Sequence, residues 1–551
     1  MGSGLRLDMN ALDYLILALY FITVLGIGFA ARRAIRTSVD FFLSGRSLPA
    51  WVTGLAFVSA NLGALEIIGM AANGAQYGAM TVHYYWIGAV PAMVFLGIVM
   101  MPFYYGSKVR SVPEYLRLRF NRPTHLLNAI SFAVAQVLIA GVNLYALALI
   151  MQALLGWPLW VAIVVGAAIV LAYITIGGLS GAIYNEVLQF FVIIAGLVPI
   201  TVIGLVKVGG VNGLMDAVRD SKLGEAGLHA WQNTGSTDNP LGAHWLGIVF
   251  GLGFVLSFGY WTTNFAEVQR ALSARNMSAA RRTPIIGAYP KLLIPLVTVI
   301  PGLIALVTVK GLGAEEGDLV YNNAIPLLMR DLLPNGVLGI AVTGLVASFM
   351  AGMAANVSGF NTVFTYDIWQ AYFRRDRPDE YYVKVGRIAT VVAVVVGIGT
   401  AFIAAGFSNI MNYIQALFSV FNAPLFGTFI IGMFWRRMSP LAGFWSLLAG
   451  TVVAIGTYLL HLGHVVRFNS DLEESFWGAG LAFVTVAVVA AILTPLTRPK
   501  RNDELTGLVY GLSDATLKDD SLAGDAAWYR SPVLLGVIAV VLAALFYIPV
   551  F

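Results

Sequence analysis

Cysteine is absent from these 551 residues and charge is scarce, with Lys, Arg, Asp and Glu together making up 11% of the chain against 59% hydrophobic residues. Without a thiol there is no disulfide and no thiolate metal site. The six histidines (83, 125, 229, 244, 461 and 464) show no HExxH-type pairing, so no metal centre is expected. So little polar material cannot clothe a water-soluble globule of this length. What the chain has instead is a succession of apolar runs of about 20 residues or more, each able to cross a bilayer, separated by short polar connections. The first, Leu12 to Ala31, lacks the basic leader and small-residue cleavage site of a signal peptide and reads as a retained helix. The net charge of +5 fits basic membrane loops better than a nucleic-acid surface, so a lipid bilayer and no nucleic acid is the expected partner.

Fourteen candidate spans emerge: 12–33, 50–73, 82–105, 124–156, 158–177, 180–207, 241–270, 279–310, 335–366, 385–405, 408–434, 440–461, 474–496 and 532–550. If the N-terminus is outside, 25 of the 33 Lys and Arg fall in the cytoplasmic loops, Arg119 and Arg270 among them, with seven outside and Lys291 within a span. The expectation is an all-α membrane protein, one transmembrane domain over 1–551, with both termini on the outer side of a prokaryotic plasma membrane. Two connections are long, 209–240 outside and 498–529 inside, and both read as flexible or partly helical. SVPEYLRLRF, 111–120, has the proline, acidic start and basic end of a short interfacial helix.

Ionisable groups at membrane depth mark function by default. Three stand out: Glu66 in the second span, Lys291 in the eighth and Glu186 near the start of the sixth. Spans two and seven each carry a polar, glycine-containing interruption, SANLGALE (59–66) and SFGYWTTN (257–264), where broken backbone is tolerated only beside a cavity or a ligand. Spans two to six and seven to eleven then form two sets of five, 50–207 and 241–434, each opening on a broken helix, the pattern of an inverted-repeat transporter with its site at the midplane.

A run of segments resembles the sodium:solute symporter family, and within it the sodium/glucose and sodium/galactose cotransporters: FFLSGRSLPAW (41–51), VPEYLRLRF (112–120), ITIGGLSGAIYNEVLQ (174–189), YW (260–261), VQRALSARNMS (268–278), PKL (290–292), FNTVFTYDIW (360–369), NYIQ (412–415) and FWRR (434–437). The resemblance implies fourteen helices built as a five-plus-five inverted repeat of the amino-acid-transporter type with flanking helices, alternating access, and sodium symport. Carried over by position, a sugar site would comprise Asn61, Glu66, Tyr85, Ser257, Lys291 and Gln415, with Tyr260 as inner gate and Trp261 beside it. Two positions depart from the sugar transporters, which have Gln or His in place of Glu66 and Glu in place of Tyr85. The implied ion site departs further. Its backbone carbonyls would come from Ser59, Leu62 and Ser348, but Ala351 and Gly352 stand where sodium-coupled members have two hydroxyl residues. The degraded ion site and the gained Glu66 motivate a proton, carried by Glu66, or uncoupled uniport as alternatives to sodium.

For each residue a plainer reading stands beside the functional one. Glu66 could be a vestibule residue without a role, Lys291 half of a structural ion pair, Asn61 and Gln415 caps of broken helices, and Tyr260 and Trp261 packing aromatics. Glu186 is either solvated at the cytoplasmic end, part of a gate, or an ion ligand. Met411 and Phe258 read as core. The expected function is secondary active transport of a small polar solute, a sugar or polyol, with Na+ or H+ as coupling ion and no cofactor. Transport of a monocarboxylate or other organic anion, with Lys291 holding the acid, and a transport-dead solute sensor are the alternatives. No nucleophile, metal cluster or acid pair suggests an enzyme, and the oligomeric state is left open.

Overall fold

The computed structural model describes residues 7–32, 42–314, 319–512 and 527–550, with the side chains of 31, 32, 154 and 173–180 outside the description. Part of the predicted inner loop, 513–526, therefore lies outside the described residues. Among them there is no β-strand, only an isolated bridge between Leu48 and Ala274. The principal helices are α1 (Ala11–Arg32), α2 (Ala50–Asn61), α3 (Leu65–Val82), α4 (Tyr84–Gly106), α5 (Val112–Arg119), α6 (Arg122–Leu155), α7 (Leu159–Lys207), α8 (Gly247–Thr263) and α9 (Phe265–Leu272). They continue as α10 (Met277–Thr308), α11 (Val337–Phe373), α12 (Asp379–Ala404), α13 (Ile410–Phe434), α14 (Pro440–Leu462), α15 (Asp471–Leu496) and α16 (Pro532–Val550). Among the described residues, eleven helices are long and apolar enough to cross a membrane, and thirteen if each of two bent pairs, α2 with α3 and α8 with α9, counts as one span.

The helices sort into an inner set and an outer set according to which faces find a partner. Burial reaches 89% over the most apolar stretch of α6 and of α11 but only 22% for α1 and α16. α11 packs on α6 and α7, and α10 on α2 and α3, whereas α1 turns Leu15, Leu19, Ile22 and Phe29 outward. Apolar side chains facing out from a bundle of this length are what a hydrocarbon environment accommodates. α7 is helical over 49 residues, roughly 73 Å if straight. Yet both of its ends lie near the N-terminal segment: the Leu7 amide donates to Ala153 O, just before α7, and Lys207 at its far end reaches Asp331 O, close to Asn335, which bonds Asp8 O. It therefore doubles back, with Leu159–Ala172 and Gly181–Lys207 as its two arms.

The interfacial segment forms as its sequence suggests. Ser111 caps α5 by accepting from the Glu114 amide, with Pro113 in the first turn. Arg119 at its end is not a solvated loop charge: it is buried and donates to Gly432, Trp435 and Met438 carbonyls, three acceptors at the end of α13. The 209–240 connection is partly helical, with Gly210–Arg219 and a turn at Glu225–Leu228, and it docks on the bundle where the Ala230 amide donates to Val550 O. The break in the second predicted span lies at Leu62–Ala64, inside SANLGALE, with a bend of 59°. That in the seventh lies at Asn264, at the end of SFGYWTTN rather than in its middle, with a bend of 50°.

Candidate functional site

The first break shapes the centre of the molecule. α2 ends at Asn61, the Gly63 amide folds back to Asn61 O, and the Ala64 amide, one of those a helix start leaves without an intrahelical partner, is taken by Asn143 Oδ1 of α6 at 2.8 Å. α3 then opens with a wide turn over Leu65–Gly69, and this turn carries Glu66 into the interior. On the facing side, Pro284 and Pro290 interrupt the hydrogen-bond ladder of α10, and Lys291 follows directly, 1% exposed. The two side chains meet at 2.6 Å between Lys291 Nζ and Glu66 Oε1. The ammonium also lies 5.4 Å from the centre of the Tyr85 ring and 5.2 Å from that of Trp261, so it is held by one carboxylate and two aromatic faces.

Around this pair is a cavity, and all eight predicted solute-site residues line it: Asn61, Glu66, Tyr85, Ser257, Tyr260, Trp261, Lys291 and Gln415. Its walls are largely aromatic and aliphatic with a few convergent polar groups, the make-up of a small-molecule pocket. Two of those groups, Asn61 Oδ1 and Gln415 Oε1, are buried acceptors with no hydrogen-bond partner. Met411, read from the sequence as core, also lines the cavity, because it sits one turn before Gln415 and receives the Gln415 amide on its sulfur at 3.8 Å. Phe258 packs against Phe95 and Phe254 instead.

Below the cavity, toward the Leu48–Ala274 end, the floor is tied shut. Asn61 Nδ2 donates to the Tyr260 hydroxyl at 2.9 Å, and that hydroxyl donates to Glu267 Oε1 at 2.8 Å. The Tyr260 ring lies 4.7 Å from that of Phe418. One turn beyond, Arg270 and Glu186 form a fully buried bidentate ion pair, and Arg270 also donates to Ala266 O at 2.6 Å. This overturns the solvated reading of Glu186 and removes Arg270 from the loop charges. Sequence reading missed Glu267, 2% exposed, because it sits near the end of the seventh predicted span, where a charge looks unremarkable. Its position inside that span was the available signal. Asn143, deep in α6, was missed too.

The region of the implied ion site is tightly packed. Ser59 and Leu62 are buried on α2 and at its end, and Ser348 Oγ on α11 donates to the Leu62 carbonyl, while the Ser59 carbonyl already accepts from the Leu62 amide. Ala351 and Gly352 add no oxygen from their side chains, and the backbones pack so closely that a Cβ on Gly352 would fall 3.0 Å from the Gly63 Cα. A hard cation stripped of water takes about six oxygen ligands. Ser59 Oγ is buried there with no hydrogen-bond partner among the described residues, and no cluster of three or more His, Cys, Asp or Glu suited to a metal occurs among them.

The profile of the sodium:solute symporter family matches residues 41–450, most of the chain. The chain belongs to the sodium:solute symporter family. A sodium/glucose cotransporter of Vibrio parahaemolyticus is 27% identical over 471 residues, covering 82% of this chain and 86% of that protein. Sodium/myo-inositol cotransporter 2 of Oryctolagus cuniculus is 28% identical, covering 90% of this chain and 78% of its own length. The solved structure of a Na+-coupled sialic acid symporter in a substrate-bound outward-open state superposes with a TM-score of 0.74 at 20% identity, over 90% of this chain and all of that one, which shows a shared fold. As a member of this family the chain is a multi-pass membrane transporter and not an enzyme.

Proposed function

We propose that the chain moves a small polar solute, a sugar or polyol, across the plasma membrane of a prokaryote by alternating access, with both termini outside. The observation that carries this reading is the convergence of Glu66, Lys291, Asn61 and Gln415 on one aromatic-walled cavity. A carboxylate accepts from hydroxyls, an ammonium donates to them, and the unpartnered Asn61 and Gln415 oxygens accept two more. The 2.6 Å pairing of Lys291 with Glu66 favours such a neutral ligand over an organic acid, because the cation that would hold a carboxylate is already neutralised within the protein. The names of the sodium/glucose and sodium/myo-inositol relatives point the same way.

Fourteen spans in two inverted sets of five, 50–207 and 241–434, fit this reading. Counting each bent pair as one span and the doubled-back α7 as two supports that number. An even count also agrees with finding Leu7 and Val550, near the two chain ends, on the side of the 209–240 connection. Tyr260, tied to Asn61 and Glu267, would be the inner gate, opened when those bonds part. Coupling to sodium is the family's default, but the closed packing of Ser348, Leu62, Gly63 and Gly352 favours a proton or no ion at all. Thermal-shift binding with D-glucose, D-mannose and myo-inositol, with and without sodium, tests solute and ion together. Stabilisation by at least one of these, weakened by Gln415→Ala, is expected; stabilisation only by organic acids would overturn the sugar reading.

A further inference from the structure

Five ionisable side chains form a buried column from the cavity to the Leu48–Ala274 end: Lys291 and Glu66, then Glu267, then Arg270 and Glu186. Two are cations and three are carboxylates. Glu66 is in bonding contact with Lys291, and Glu186 with Arg270, which leaves Glu267 as the carboxylate without a cation of its own. Its Oε1 receives the Tyr260 hydroxyl, and its Oε2 is buried with no partner among the described residues. An ionised carboxylate buried with half its acceptors unmet is costly, and the column as a whole becomes neutral when Glu267 holds one proton. The groups facing it are Tyr260 from α8, Lys291 from α10, Glu186 from α7 and Arg270 from α9 itself. α2 has no titratable side chain, and Asp367 of α11 is paired with His125 at 2.8 Å.

We infer that Glu267 is the residue that carries the coupling proton, one per solute, an inference that rests on the transport reading above. With the cavity open to the outside, a hydronium ion there gives a proton to the Tyr260 hydroxyl as that hydroxyl passes its own to Glu267 Oε1, and is left as water. One proton has moved from the outer water to the carboxylate, and Tyr260 is left neutral. When Tyr260 swings away on the inner side, water reaches Glu267 and takes the proton into the cytoplasm. The position explains why coupling follows the gate: the hydroxyl that closes the floor of the cavity is also, among the described residues, the only hydrogen-bond partner of the carboxylate. Glu66, compensated by Lys291, remains with the solute.

The test uses the full chain in proteoliposomes with D-glucose, D-mannose and myo-inositol as probes. Without sodium, and with the interior one pH unit more alkaline, the wild type accumulates a transported probe up to about tenfold, the limit for one proton per solute. Adding the probe alkalinises the outer medium. Glu267→Gln exchanges labelled for unlabelled probe but brings the inside-to-outside ratio only to about one, because a fixed neutral amide gives up no proton. Glu267→Asp, which keeps the carboxyl, retains accumulation. Wild-type accumulation that follows sodium at fixed pH, the absence of alkalinisation, or Glu267→Gln accumulating as well as wild type would each overturn the inference. A wild type that accumulates nothing yet exchanges a probe overturns the coupling alone. One that exchanges none of the three overturns the transport reading with it.

Discussion

Glu66 and Lys291 are the side chains on which the solute reading stands, and their interdependence is measurable. Replacing either one strands the other as a buried charge, a loss of about 3–5 kcal/mol, whereas replacing both removes the problem. Glu66→Gln and Lys291→Gln should each lower the melting temperature of the purified protein in detergent, and the double variant should be more stable than either single one. Additive losses would show that the 2.6 Å pair is not energetically coupled. These two residues were legible in the sequence because a charge within an apolar run has few explanations. Glu267, Arg270 and Arg119 were not, because near the end of a span a buried charge and a solvated one look alike. Their partners come from elements far away in the chain: Tyr260, Glu186 and the carbonyls closing α13.

At the scale of elements, the first broken helix is held by contacts that no local pattern announces. Gly63 and Gly352 bring α11 against the break, and Asn143 satisfies the amide that the break exposes. Gly352→Ser would add a hydroxyl of the kind the family resemblance implies for a sodium site, but with its Cβ 3.0 Å from the Gly63 backbone. The expected outcome is a loss of about 1–3 kcal/mol from overpacking, read as a lower melting temperature that sodium does not restore. A sodium-dependent rise would mean that a cation site survives there. At the end of α5, Arg119→Ala leaves the carbonyls at the end of α13 without their donor and should cost about 1–3 kcal/mol. Arg119→Lys should rescue only part of this, since a single ammonium lacks the planar fork that reaches Gly432, Trp435 and Met438 together.

For the whole molecule the open matter is orientation, and the absence of cysteine makes it directly accessible: any introduced thiol is the only one in the chain. Ser236→Cys, on the exposed part of the 209–240 connection, should react with an impermeant maleimide in intact cells. Arg437→Cys, exposed beyond the end of α13, should react only after the membrane is opened. The opposite pattern would invert the topology argued from the basic loops. The same pair of variants tests the count of five spans between them, because Ser236 and Arg437 fall on opposite sides only if that number is odd.

The sequence by itself determined that this is a helical membrane transporter, which two spans break and that Glu66 and Lys291 face the centre. Hydropathy, charge bias and helix-breaking residues act locally, and each leaves its mark within about 20 residues, the thickness of a bilayer. Only the tertiary structure decided which charges are compensated. It paired Lys291 with Glu66 and Arg270 with Glu186, joined Tyr260 to Glu267, and packed Ser348, Gly352 and Asn143 against the first break. Whether a buried carboxylate is charge-compensated or left to hold a proton depends on what stands within about 4 Å of it, and in this fold those neighbours come from other helices.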